Sequence, residues 1–145
     1  MLLISHRGNL HGVKKEENSP FLLDKVMKMG YNIEVDVWKI SNDIFLGHDQ
    51  PQYRVNGNYL KNDKFWCHAK NLDALEWLLE NKITCFWHQE DNFTLTSNGL
   101  IWTYPGLEVT AKSIIVCKTL EETKKYFEKD IYGICSDYVG DLIGN

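Results

Sequence analysis

MLLISHRGNLHGVKKEENSPFLLDKVMKMGYNIEVDVWKI, residues Met1 to Ile40, reads as strand, helix, strand. Leu2–Ser5 is a short apolar run of strand type. Ser19-Pro20 opens a helix as N-cap and first-turn residue. Phe21, Leu22, Val26 and Met29, with Lys25 among them, give that helix its apolar stripe, and Gly30 stands where a left-handed residue ends it. Ile33–Trp38 is the second strand. Such a unit places two parallel strands beside each other with the helix across one face.

The same alternation continues outward. A Ser41-Asn42-Asp43 turn leads to a short run, Ile44–Leu46, and Lys64–Lys70 is a third long strand. Asn71 caps a helix whose Leu72, Leu75, Leu78 and Leu79 recur at helical spacing. Thr84–His88, Leu100–Tyr104 and Ser113–Lys118 read as strands, Thr119 and Glu122 as the capping box of a third helix, and Tyr132–Ser136 as the last strand. Gln89–Gly99 and Pro105–Lys112 show no helical period and are too short for a parallel crossover, so both are expected to be loops. The expected fold is α/β with a mainly parallel sheet: a reduced TIM-barrel-like (β/α) barrel with several outer helices missing, because a full barrel of that kind takes about 250 residues.

The 145 residues suit one domain spanning 1–145, and 43% hydrophobic content supplies a core. Sixteen basic against 20 acidic residues give a formal charge of −4, which argues against nucleic acid or an anionic membrane as the main partner. No apolar run approaches the ~20 residues that cross a bilayer, and Met1–Ile4 lacks the basic and apolar regions of a signal peptide. A soluble, cytoplasmic protein is therefore expected. Cys67, Cys85, Cys117 and Cys135 form no CxxC and sit among strand-forming neighbours, which predicts reduced core thiols. A short barrel with exposed strand faces would gain from dimerisation, so a homodimer is an open expectation.

Polar residues gather at the C-terminal ends of the predicted strands, the edge where parallel α/β folds bind ligands. Glu34 and Asp36, two apart on one strand, point to the same face. Two carboxylates there repel unless one is protonated, a base pairs with them, or a cation lies between. Lys70 is the candidate base; a divalent metal is the other solution. His68-Ala69-Lys70 repeats the spacing, so His68 can complete a metal triad while Lys70 supplies a fixed charge. Carboxylates suit Mg²⁺ or Ca²⁺, and an imidazole shifts preference toward Mn²⁺ or Zn²⁺. His6-Arg7-Gly8 brings together an imidazole, a guanidinium fork suited to phosphate and a permissive glycine. His48-Asp49 is either a surface turn or a second histidine oriented by its neighbour. Two histidines, a metal and an arginine describe acid–base phosphoryl chemistry.

In order, Ser5-His6-Arg7-Gly8, Glu17-Asn18-Ser19-Pro20, Ile33-Glu34-Val35-Asp36-Val37 and Gly47-His48-Asp49 resemble the motifs of glycerophosphodiester phosphodiesterases, in the superfamily that also holds phosphatidylinositol phospholipases C. Cys67–Lys70 is similar to a later E-x-K strand of that family, and Gly133–Tyr138 to its closing strand. The resemblance implies a metal-dependent hydrolysis of a small phosphodiester on a TIM-barrel-like fold. It makes His6 and His48 the acid–base pair, Glu34 and Asp36 metal ligands, and Arg7 and Lys70 phosphate contacts. His68 stands where the family has an acidic ligand. Glu17, within the second motif, is an accessory candidate. His88 is either a site residue or a solvated loop polar, and Trp102 either stacks on a substrate group or fills the core. The rival readings are a phosphate-ligand binding module without turnover, and a hydrolase or lyase acting on a nucleotide-sugar phosphodiester.

Overall fold

The computed structural model describes residues 1–142. Its strands are β1 (Leu2–His6), β2 (Asn32–Ile40), β3 (Asp43–Leu46), β4 (Tyr53–Val55), β5 (Phe65–Ala69), β6 (Cys85–Phe86), β7 (Phe93–Leu95), β8 (Ile101–Thr103), β9 (Ser113–Cys117) and β10 (Gly133–Ser136). The helices are α1 (Pro20–Lys28), α2 (Leu72–Glu80) and α3 (Leu120–Phe127), with 3₁₀ turns at Gly57–Lys61 and Val139–Leu142. All ten strands join one mixed sheet. Its parallel part runs β6-β5-β2-β1-β10-β9-β8. Antiparallel β3 and β4 extend the far end of β2, and antiparallel β7 lies outside β8.

Laid flat, the six strand steps from β6 to β8 would separate those strands by roughly 29 Å. Instead Phe86 of β6 stacks on Trp102 of β8 with ring centroids 4.4 Å apart. The parallel strands therefore curl, and aromatic side chains bridge the gap that strand pairing leaves open. The period of two then separates two cores. Ile4, Trp66, Phe86, Trp102, Ile114, Val116 and Cys135 fill the concave face. Ile33, Val35, Phe65, Ile115 and Ile134 point outward and pack with Leu23, Val26 and Leu78 of the helices.

Capping follows the sequence closely. Ser19 accepts a hydrogen bond from the Leu22 N–H, and Asn71 from the Ala74 N–H. Thr119 Oγ1 accepts from the Glu122 N–H, while the Glu122 carboxylate reaches one residue further back, to the N–H of Lys118. All four cysteines are buried free thiols. No helix among the described residues is long and apolar enough to cross a membrane.

Three expectations need correction. The helices bury different residues from the predicted stripes: Leu22, Leu23 and Val26 in α1, Ala74 and Leu78 in α2. Phe21, Met29, Leu72 and Leu79 are exposed, because each helix is short and touches the sheet along only one narrow line. The strand predicted at Thr84–His88 shrinks to Cys85–Phe86. Gln89–Gly99 is not wholly a loop, since it contains β7. Phe93 and Leu95 of β7 both face outward, so main-chain pairing rather than a buried alternating face makes it a strand.

Candidate active site

Because the central strands are parallel, their inner-face residues emerge at one end. His6 ends β1, Glu34 and Asp36 lie on β2, His68 lies on β5, and Asp137 follows β10. Register sets their neighbours: His6 lies beside Glu34, and Asp36 beside His68. A cavity of about 270 Å³ opens here, lined on its polar side by His6, Arg7, Glu34, His68 and Lys70 and on its aromatic side by Phe86, His88, Trp102 and Tyr104.

Glu34, Asp36 and His68 each offer a donor atom, all within 4.8 Å of one another. His68 Nε2 lies 3.0 Å from the main-chain carbonyl of His88. A carbonyl only accepts, so Nε2 carries a proton, and Nδ1 either carries a second proton or presents a lone pair. That Nδ1 faces Asp36 Oδ1 at 3.2 Å and Glu34 Oε1 at 4.0 Å. Lone pair against carboxylate is repulsive unless a proton or a cation lies between them. Asp36 Oδ1 and Glu34 Oε2 are also buried without hydrogen-bond partners. An imidazole held by a carbonyl on its far nitrogen is the usual support of a metal-ligating histidine. The donor set thus fits a divalent cation.

The two carboxylates are not equivalent. Burial, reinforced by Asp36, pushes the Glu34 carboxyl up to about 6. Burial works against ionisation of Asp36 too, but His68, Arg7 and Asn18 outweigh it and hold that carboxyl well below the usual range. Asn18 donates to Asp36 Oδ2 at 2.9 Å and accepts from the Asp36 N–H, and Arg7 Nε lies 3.1 Å from the same Oδ2. Arg7 reaches back this way because its backbone is left-handed, φ 58°. Gly8 follows at φ 92°, where a Cβ would come within 3.0 Å of the Leu22 side chain.

His6 Nδ1 lies 2.9 Å from Asp137 Oδ1, which also accepts from Asn9 Nδ2 at 2.8 Å. The carboxylate fixes the tautomer with the proton on Nδ1, so Nε2 faces Glu34, 3.7 Å away. Burial depresses the His6 pKa, but Asp137 and Glu34 more than compensate and raise it above the ordinary value. Glu17 takes up part of the Arg7 fork at 3.3 Å and accepts from Asn9, so the accessory candidate acts by anchoring the loop. Arg7, expected to face phosphate, spends much of its charge on Asp36 and Glu17. Lys70 Nζ approaches Asp36 only to 3.9 Å.

His48 lines the cavity at its rim, but its side chain is 41% exposed and Nδ1 bonds Asp49 at 2.8 Å. Trp102 is buried and packs on Phe86 and Trp66 while its edge lines the cavity, so it serves core and site together. His88 is no solvated loop polar: it is 6% exposed and stacks on Tyr104 with ring centroids 4.2 Å apart. Burial and the neighbouring His68 lower its pKa. Asn9, Asn18, Tyr104 and Asp137 are site residues that motif reading did not assign. Asp137 was visible as a polar residue ending a strand and Asn18 within a motif; Asn9 gave no signal. No family model, curated protein or solved structure matches the chain.

Proposed function

We propose that this chain is a metal-dependent phosphodiesterase acting on a small phosphodiester, on a reduced TIM-barrel-like fold. The observation that carries the reading is the convergence of donor atoms of Glu34, Asp36 and His68 within 4.8 Å of one another, at a cavity that His6 and Lys70 also line. A divalent ion bound by the first three, Mg²⁺ or Ca²⁺ by the oxygen donors and Mn²⁺ by the imidazole, would supply Lewis-acid stabilisation of phosphoryl charge. Lys70 adds a second positive charge for the phosphate. His6, with Nδ1–H held by Asp137, takes a proton from the attacking hydroxyl at Nε2. His48, at the rim, delivers a proton to the departing alcohol. The attacking group is water or a neighbouring substrate hydroxyl.

The test is turnover of bis(p-nitrophenyl) phosphate with Mg²⁺, Ca²⁺ or Mn²⁺ and with chelator. Metal-dependent release of nitrophenol that disappears in His6→Ala is expected; absence of turnover with every metal rejects the enzyme reading. One observation favours a second reading, a phosphate-binding module without turnover. His48 is exposed and tied to Asp49 rather than set opposite His6. Metal-dependent phosphate binding without product would establish that alternative.

A further inference from the structure

His88 has no task in the chemistry just described beyond its main-chain carbonyl, which holds His68. Its side chain is nonetheless buried on the aromatic wall of the cavity, and neither ring nitrogen has a hydrogen-bond partner. The nearest acid, Asp91, comes only within 3.9 Å of Nδ1 and is itself largely exposed. A buried imidazole with both nitrogens unpaired carries an uncompensated desolvation cost. A phenyl ring would fill the same place against Tyr104 and His68 without that cost. Both nitrogens are buried where the ring stacks on Tyr104, so a ligand in the cavity would meet one of them through a turn about the Cβ–Cγ bond, a soft torsion for histidine.

We propose that His88 is a substrate-binding residue, satisfied only when an alcohol portion of the ligand seats against the Tyr104 side of the cavity. The proposal rests on the phosphate-site reading above and deepens it. A neutral imidazole donates one hydrogen bond and accepts another, so its complement is a group that does both, a hydroxyl, rather than an alkyl chain or a second anion. The polar wall holds the phosphoryl end, and His88 with Tyr104 selects what is attached to it. His88 thereby links the two ends of the ligand, because its carbonyl orients His68 while its ring reads the alcohol.

Calorimetric titration of the whole chain with glycerol 1-phosphate and with propyl phosphate, Mg²⁺ present, separates the outcomes. These probes share a carbon skeleton and a phosphate and differ in hydroxyls. The wild type should bind the hydroxylated ester at least roughly tenfold tighter, the consequence of leaving one buried hydrogen bond unmade. His88→Phe should bind both esters alike and melt at or above the wild-type temperature, whereas His88→Gln, which keeps a donor and an acceptor, should retain part of the preference. Equal wild-type affinity for the two esters overturns the proposal and leaves the phosphate site standing. Equal loss of both esters in His88→Phe, or a melt well below wild type, assigns His88 a structural role instead. Failure of the wild type to bind either ester removes the phosphate-site reading along with the proposal.

Discussion

Glu34 is the carboxylate that the folded chain accommodates badly, and replacing it with Gln makes that cost measurable. The folded environment moves its pKa from 4.5 to about 6. At 1.36 kcal/mol per unit, holding the group ionised in the folded state costs about 2 kcal/mol. A raised carboxyl means that the folded chain binds a proton the unfolded chain has already released. The penalty is therefore absent below about pH 4, grows as pH rises, and is complete above about pH 6. In chelator, Glu34→Gln, which has the shape of the protonated acid, should match wild type near pH 4 and exceed it by about 2 kcal/mol at pH 7.5. For a chain of this size that is roughly 4–8 °C in melting midpoint. Adding a divalent ion should reverse the order, since only wild type retains all three ligands and a ligand bound to the native state raises its stability. Melts across pH, with and without Mg²⁺, Ca²⁺ and Mn²⁺, test both halves. A pH-independent difference, or a less stable variant at pH 7.5 in chelator, refutes the repulsion argument. A wild type unmoved by any ion refutes the cation site.

Asp36→Asn should do the opposite, although the sequence suggests that removing either carboxylate relieves strain. Its depressed pKa marks stability present above about pH 4 and lost as pH falls through the folded value; the substitution should cost about 3 kcal/mol at pH 7 by taking from the buried Arg7 its nearer carboxylate, as denaturant titration would show. His6→Ala should lower kcat by roughly 10²–10⁴. Asp137→Asn should move the His6 pKa downward in an NMR titration; an unmoved His6 resonance would reject the positioning role of Asp137. His68→Glu should destabilise the metal-free protein by several kcal/mol, because it buries a third carboxylate and unpairs the His88 carbonyl. Ca²⁺ should restore that loss if the position is a ligand, and leave it unrepaired if it is not.

Strands that the sequence made legible are those with a buried face. Ile33–Val37 alternates outward apolar residues with inward carboxylates, and Ser113–Cys117 is buried throughout, so both stood out. Tyr53–Val55 and Phe93–Leu95 lie at the sheet margins with much of their side-chain surface exposed, which leaves no pattern to read. The candidate site was legible wherever spacing of two on a strand fixed direction, as for Glu34, Asp36, His68 and Lys70. It was illegible where the partner is remote: Asp137 meets His6 across 131 positions, a contact made by the pairing of β1 with β10. Arg7 was read by type as a phosphate ligand. Its left-handed backbone, which turns the fork toward Asp36, is a property of the turn and not of the residue.

That turn also explains why two carboxylates on one strand behave so differently. The segment between β1 and α1 has no regular structure, yet it carries Arg7, Asn9, Glu17 and Asn18. Asn18 and Arg7 fix Asp36 from one side, while Glu17 and Asn9 hold the segment itself and Asp137 in place. Asp36 is thereby held ionised and oriented by the protein alone. Glu34, one step deeper on the same face, receives no hydrogen bond at Oε2 from that segment. In the proposed cation site Asp36 would be the preorganised ligand, and Glu34 would carry a charge that His6 at 3.7 Å offsets only in part. For the proposed ion, a stronger hold on Asp36 would lower the ordering cost of binding, and satisfying Glu34 from the protein would weaken the attraction. The irregular loop would therefore set the affinity of the proposed site, whose candidate ligands all stand on regular strands.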